Sequence, residues 1–455
     1  MTMAHFLHDF FYPKTVALIG ATDKPDKPAR AIMENLAHFS GTVFPVNPKY
    51  QTLFGLRCYP SIKEIAETID VAIVALPVTV IEAGFGMLRD KGIDRLIVIS
   101  SGFAEAGEEG RRLQERLTEQ ANRHGIRVIG PNALGVFNAE NGFNSFFVSE
   151  ERVLMPEPGR LSIISQSGAV TVILMEAMAR NGIGIAKAIN YGNRLDVDEA
   201  DALSYLADDP QTDAAAVYIE SVGDGRKFLE AAKRFTARKP LVVWKAGKRE
   251  LGAGAVASHT ATLAGTYALY EAAFRQGGIS EAYTFEHLLD GAKVASLMPF
   301  RCTGKRLLIM TNGGGMAVAA ADQASRDGFI LPPVPEEVRK KLKQAFPPFF
   351  VLNNPIDITG SGKDEDYYTA LKEALPYYDA AVVIALMGTT TVTENSAAMI
   401  ARVCRELKKP ITCCVLQGLR YMEEVERSVQ ELGIPAFPSP ERAVRALTVL
   451  RRGPC

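Results

Sequence analysis

Long apolar runs are missing from this sequence. No stretch approaches the roughly 18 residues of a membrane-spanning helix, so no membrane segment is expected. Blocks of like charge are missing too. The 51 Lys and Arg residues balance 52 Asp and Glu for a net charge of -1, which excludes electrostatic capture of nucleic acid or an anionic membrane as the main task. Cysteine is scarce. The six cysteines lie far apart except for Cys413 and Cys414 in "PITCCVLQG", and no CxxC or Cys/His pair has the spacing of a zinc site. No metal is expected, and the thiols read as reduced residues of a cytoplasmic protein. The start "MTMAHFLHDFFYPK" has no basic stretch followed by an apolar one, so no secretory signal is expected.

What is present is ordinary globular composition, 47% hydrophobic and 23% charged over 455 residues, too long for one core. "TVALIG" (15–20), "TVFPVN" (42–47), "VAIVALP" (71–77), "RLIVISS" (95–101) and "IRVIG" (126–130) read as strands buried on both faces. Helical patterns such as "RAIMENLAHF" and "EEGRRLQERLTEQANRHG" separate them. Strands alternating with helices imply an α/β fold with a doubly wound parallel sheet. Pro/Gly-rich joints at "MPEPGR" and near "PFRCTGKR" divide the chain into expected domains 1–145, 146–298 and 299–455.

The last two domains resemble each other. "RLSIISQSGAVT" (160–171) lines up with "RLLIMTNGGGMA" (306–317), and "DAAAVYIES" (213–221) with "DAAVVIALM" (379–387). "KPLVVWKAG" matches "KPITCCVLQG" in the same way. A duplicated strand–loop–helix unit is the economical explanation, each copy a small open parallel sheet flanked by helices. The copies differ at a strand's carboxyl end, where Glu220 faces Leu386, and only the first carries "AGAVASHTATLAGTYAL". Ligands of such sheets bind beyond the carboxyl ends of the strands, where these extras fall.

In the first domain, the loop after the first strand (Gly20, Ala21, Thr22) has a glycine that lets backbone approach a phosphate and a helix start that favours anions. The second strand ends on Asn47, Pro48 and Lys49 instead of the acid that NAD sites use for the ribose. Lys49 fits a ligand with an extra phosphate near the ribose, and coenzyme A and NADP both qualify. Ser100, Ser101, Gly102 and Phe103, and the Pro131–Asn132 turn, occupy loops at the same sheet edge.

Ser165, Gln166, Ser167 and Gly168 form a strand-to-helix turn whose hydroxyls and N–H groups suit phosphate or carboxylate, beyond the cap that a single serine supplies. His259 stands among small residues in "ASHTATLAG". A neutral imidazole is a good nucleophile toward phosphorus near pH 7. A carboxylate on its other nitrogen fixes the tautomer and stabilises the cation that forms, and Glu220 is the natural partner. The other five histidines have no comparable setting and read as surface or packing residues.

With these residues in hand, the chain resembles the CoA-binding (alpha) subunit of the NDP-forming acyl-CoA synthetases, relatives of succinyl-CoA synthetase. The likeness runs from "VALIGAT" through "VFPVNPK", "SSGFAE", "GPN", "SQSGA", "YGNRLDVDEADAL", "YIES", "SHTATLAG" and "TNGGG" to "NNPIDITG". It implies an amino-terminal Rossmann-like CoA-binding domain and two flavodoxin-like ligase domains. His259 would be phosphorylated and Glu220 its partner, and Ser165–Gly168 would hold the phosphoryl group or acyl phosphate. Gly20, Ala21, Thr22, Asn47 and Lys49 would bind the nucleotide part of CoA. Ser100–Phe103 with Pro131 and Asn132 would line the pantetheine path. Ala133 stands where relatives often have cysteine.

The implied cycle interconverts acyl-CoA, phosphate and NDP with free acid, CoA and NTP. The sequence ends in "TVLRRGPC" without an ATP-grasp module, so Mg-nucleotide is expected on a separate beta subunit of a hetero-oligomer. Two other readings use part of the same features: a CoA-binding regulator without turnover, and an NADP-dependent oxidoreductase.

Overall fold

The computed structural model describes residues 5–81, 84–252, 266–416 and 422–451. The chain forms two compact units, Met1–Glu281 and Ala282–Cys455. The first begins with a five-stranded sheet in the order β2-β1-β5-β6-β7, from β1 (Thr15–Ile19), β2 (Thr42–Val46), β5 (Val71–Val74), β6 (Arg95–Val98) and β7 (Arg127–Ile129). All its pairings are parallel. Between β2 and β5 a small hairpin joins β3 (Thr52–Leu53) to β4 (Leu56–Arg57). Every residue of β5 is buried, as its unbroken apolar run requires of a strand covered on both faces.

A seven-stranded sheet follows in the order β14-β13-β12-β10-β11-β8-β9. Its strands are β8 (Gly135–Asn138), β9 (Phe143–Asn144), β10 (Pro158–Ser165), β11 (Ile185–Asn190), β12 (Ala214–Ile219), β13 (Leu241–Lys245) and β14 (Ser280–Ala282). The second unit holds a six-stranded sheet, β16-β17-β15-β18-β19-β20. It is built from β15 (Leu307–Thr311), β16 (Val351–Leu352), β17 (Ile356–Asp357), β18 (Ala380–Leu386), β19 (Ile411–Leu416) and β20 (Ala436–Phe437).

The register supports the duplication. β10 lies between β11 and β12 with Ser165 opposite Asn190 and Tyr218. β15 lies between β17 and β18 with Thr311 opposite Asp357 and Ile384. Both sheets depart from the purely parallel expectation at one edge, where β8 runs antiparallel to β11 and β16 antiparallel to β17. A short antiparallel strand covers the edge of an otherwise parallel sheet and removes its unpaired backbone groups from solvent. Such strands are too short to show an apolar period.

In each copy the helix after the central strand starts at the strand's carboxyl end: α1 (Gly168–Arg180) after β10 and α4 (Gly314–Arg326) after β15. Two further helices in the first unit bear on its chemistry, α2 (Glu199–Asp208) and α3 (Tyr267–Gln276). In the second, α5 (Asp364–Ala374) is the counterpart of α2.

Candidate active site

Ser165 ends β10 fully buried, and its Oγ donates to the carbonyl of Ser167 at 2.8 Å while accepting the Ser167 N–H at 3.2 Å. This local ring turns the chain into α1. Ser167 caps the helix through Oγ, which accepts from Val170 N at 3.4 Å. Gly168 and Ala169 lie in the first turn, where N–H groups have no intrahelical partner, and Ala169 is exposed. A Cβ at Gly168 would fit without a clash, in ordinary contact with Leu134 at 3.4 Å and Asn190 Oδ1 at 3.9 Å. First-turn N–H groups, a hydroxyl and the positive end of a 13-residue helix are thus brought together, the features that favour an anion.

Gln166 does something the sequence did not reveal. Its Oε1 accepts from Glu220 N at 2.9 Å and Ser221 N at 3.2 Å, so it clamps the end of β12 to the turn. Glu220 follows β12 and is 5% exposed. Its Oε1 accepts from the Tyr218 hydroxyl at 3.2 Å, while its Oε2 is buried with no hydrogen-bond partner among the described residues. Burial, then the Glu220 carboxylate, raises the Tyr218 phenol above its usual range, so it stays a donor. An unpaired buried carboxylate oxygen costs free energy, and a protonated or N–H-bearing group supplied from elsewhere relieves that cost.

His259 falls outside the described residues. Described residues to either side of it in sequence share one partner. Lys248 Nζ lies 2.6 Å from Glu281 Oε1, and the Tyr267 hydroxyl donates to the same oxygen. The Lys248 ammonium also stands 5.3 Å from the centre of the Tyr267 ring. Nearby, Tyr270 OH accepts from Val222 N at 3.2 Å, and Lys245 lies over the Tyr270 ring. Burial pushes the Lys245 ammonium down to about 8.

On the first sheet, the expected ligand loops do gather at the carboxyl ends of the strands. Gly20 has φ +92°, and a Cβ there would lie 2.6 Å from the Ala75 carbonyl oxygen, so only glycine fits. Asn47 is partly a strut: its Nδ2 donates to Ala21 O at 2.8 Å and its Oδ1 accepts from Lys49 N at 3.0 Å. Thr22 is buried with its hydroxyl 3.0 Å from Tyr50 OH, whereas Lys49 is exposed.

Ser100 Oγ bonds Leu76 O, and Ser101 is exposed. The N–H groups of Gly102 and Phe103 both donate to Glu105 Oε1, at 2.6 and 3.2 Å. The Phe103 side chain is buried in the sheet's core. The Gly130–Pro131 peptide is cis and Asn132 has φ +57°, its N–H bonded to Ser100 O at 2.9 Å. The two loops therefore touch. Among the described residues no group of three His, Cys, Asp or Glu side chains could hold a metal, and no helix is long and apolar enough to cross a membrane.

Three family models match in succession: a CoA binding domain over residues 14–139, a succinyl-CoA ligase like flavodoxin domain over 158–295 and a Ligase-CoA domain over 307–451. The chain is 41% identical to acetate–CoA ligase [ADP-forming] I of Archaeoglobus fulgidus across 97% of its own length, and spans 63% of that longer protein. It is 37% identical to acetate–CoA ligase [ADP-forming] I subunit alpha of Pyrococcus furiosus, covering 98% of this chain and 97% of that one. A solved structure, the dinucleotide forming acetyl-coenzyme A synthetase 1 of Ca. Korarchaeum cryptofilum in complex with phosphate and ADP, aligns with a TM-score of 0.90 and 36% identity over 98% of this chain and 96% of that one. With three modules matched in order along nearly its whole length, the chain belongs to the NDP-forming acyl-CoA synthetases, aligning with their CoA-binding alpha subunit.

Proposed function

We propose that this chain is the alpha subunit of an acid–thiol ligase that interconverts acyl-CoA, phosphate and NDP with carboxylic acid, CoA and NTP. The reading carries three modules, 1–145, 146–298 and 299–455, with the chemistry in the second. Phosphate bound at the Ser165–Gly168 turn attacks the thioester carbonyl, the C–S bond breaks, and CoA leaves as the thiol. The resulting acyl phosphate sits on the same N–H groups. An imidazole nitrogen of His259 attacks its phosphorus, the P–O bond breaks, and the carboxylate departs. Glu220 accepts a hydrogen bond from the other ring nitrogen and balances the charge of the phosphorylated ring. Transfer to the terminal oxygen of NDP then returns the histidine to its neutral state.

The observation that carries this reading is the Glu220 carboxylate, buried after the strand end that Gln166 ties to the Ser165–Gly168 turn, with Oε2 without a hydrogen-bond partner among the described residues. In the first domain, Gly20, Ala21, Thr22, Asn47 and Lys49 take the phosphorylated nucleotide of CoA. Ser100–Phe103 with Pro131 and Asn132 guide its arm. The exposed Lys49 ammonium fits such an anion. Mg-nucleotide binds on a separate ATP-grasp beta subunit of a cytoplasmic hetero-oligomer, in line with the subunit naming of the Pyrococcus relative.

The test is incubation with an ATP-grasp subunit, magnesium and ATP labelled at its terminal phosphate. An acid-labile, base-stable label on the alpha chain that is lost in His259→Ala is the expected result. Label that survives this substitution overturns the reading, and tight CoA binding without any label favours a regulator instead.

A further inference from the structure

Residues 191–196, between β11 and α2, have no assigned task in the chemistry above, yet they touch Glu105, the 130–132 turn and the residue that follows Glu220. Asn193 N donates to Pro131 O and Leu195 N to Gly130 O, both at 2.9 Å. Asn193 Nδ2 donates to Glu105 Oε2 at 2.5 Å, and the other oxygen of Glu105 holds the Gly102 and Phe103 amides. Arg194 then turns the opposite way. Its Nη1 donates to Ser221 O at 2.8 Å and its Nη2 to Ser221 Oγ at 3.3 Å, and Glu199 Oε2 stands 3.4 Å from Nη1. Gln166 takes the N–H groups of Glu220 and Ser221, and the guanidinium takes the Ser221 carbonyl. Ser221, the residue after Glu220, is therefore held at both its N–H and its C=O.

Two details mark the grip as built for this place. Arg194 adopts φ +56°, a left-handed conformation that non-glycine residues enter only at a cost. Gly223 leaves room for the guanidinium, since a Cβ there would lie 3.3 Å from Arg194 Nε. The second copy provides an internal control. Thr359 has φ +54° and stands five positions before Asp364, the first residue of α5, just as Arg194 stands five before Glu199, the first residue of α2. The backbone shape recurs, but the arginine occurs only in the copy that has Glu220. In the second copy the acid at the helix start turns elsewhere: Asp364 accepts from Thr393 N at 2.8 Å and from its hydroxyl at 2.6 Å. The left-handed turn belongs to the scaffold, and the guanidinium belongs to the site.

We propose that Arg194 is a positioning residue for Glu220, its guanidinium anchored by Glu199 and fixing the Ser221 peptide so that the Glu220 carboxylate faces the phosphoryl seat. Through Asn193 and Glu105 the same segment ties that aim to the loops 100–105 and 130–132. The inference rests on the phosphohistidine reading. It adds a residue that acts through the backbone beside Glu220.

The experiment is a double-mutant cycle on the chain paired with its ATP-grasp subunit, with labelled acetyl phosphate as the sole phosphoryl donor and no nucleotide. Arg194→Ala is expected to slow formation of the acid-labile label by roughly 100-fold, the penalty of about 1 Å of misplacement. The acetyl phosphate concentration at half-maximal rate should stay unchanged, because the Ser165–Gly168 turn is intact. Arg194→Lys, which keeps a donor for Ser221 O, should recover part of the rate and serves where the alanine variant folds poorly. In a Glu220→Gln background the same substitutions should cost less than about 3-fold, since interacting residues are not additive. Wild-type rates in Arg194→Ala, or an equal penalty in both backgrounds, overturn the inference alone. Absence of histidine label in the unsubstituted protein overturns the parent reading and this inference together.

Discussion

The two copies of the strand–turn–helix unit share a mechanism of construction and differ in what they leave open. In the first, Ser165 Oγ closes a ring with Ser167; in the second, Thr311 Oγ1 donates to Gly313 O at 3.2 Å and accepts Gly313 N at 2.9 Å. In both, a side-chain amide crosses to the neighbouring strand end. Gln166 takes two N–H groups there, and Asn312 makes a reciprocal pair with Leu386, 2.8 and 3.0 Å. The mouths diverge. A Cβ at Gly313 would lie 2.1 Å from Leu386 Cδ1, and one at Gly314 would lie 2.7 Å from Asp357 Oδ2. An apolar side chain and a carboxylate therefore crowd the helix start, where the first copy keeps Leu134 at 3.4 Å and the neutral Asn190 at 3.9 Å from the same point. An acid at a helix N-terminus satisfies the dipole and repels a second anion. The second copy carries such an acid at its helix start, and the first has a neutral amide in its place.

The comparison can be broken most directly by Glu220→Leu, which gives the first copy the residue of the second. Phosphohistidine formation should fall on the order of 10³- to 10⁴-fold, the cost of losing the acid behind a reacting imidazole. Thermal stability should change little, because removing a buried oxygen without a partner among the described residues offsets the acceptor that the Tyr218 hydroxyl loses. Retained labelling would show that the difference between the copies is not catalytic.

Gln166→Ala and Asn312→Ala should each destabilise their unit by about 1–3 kcal/mol through unpaired buried backbone groups, read by denaturant titration. Only the first should also slow labelling. A third contrast is steric. Gly313→Ala should cost about 1–3 kcal/mol by overpacking against Leu386. Gly168→Ala, whose Cβ would come no nearer than 3.4 Å to its neighbours, should change stability by about 1 kcal/mol or less.

The smallest effect concerns Lys245, whose counterpart by register is the buried Val415. Burial holds the folded-state ammonium near 8, below its ordinary 10.5. The unfolded chain thus binds more protons between those values, and stability should rise with pH across that window. Lys245→Met should remove the rise in melting temperature between about pH 8 and pH 10. A slope unchanged by the substitution would place its origin elsewhere.

The sheets were legible in the sequence because doubly buried strands leave unbroken apolar runs, as in "VAIVALP" and "RLIVISS". Glu220 was legible because duplication supplies its own reference at Leu386. Gln166 appeared as a phosphate ligand, while its carbonyl oxygen is committed to a strand end 54 residues away, a partnership that no local spacing encodes. Phe103 and Asn47 likewise carry packing and strut roles that follow from tertiary neighbours. Arg194 was invisible for a different reason, since a left-handed arginine leaves no compositional mark. The cover strands β8 and β16 escaped because four and two residues cannot show a period.

The shared hold of Glu281 on Lys248 and Tyr267 makes one carboxylate oxygen a staple between two points of the chain nineteen positions apart. Removing that carboxylate withdraws a partner from an ammonium and a phenol in a single step, so a change at one acid is felt at both points together.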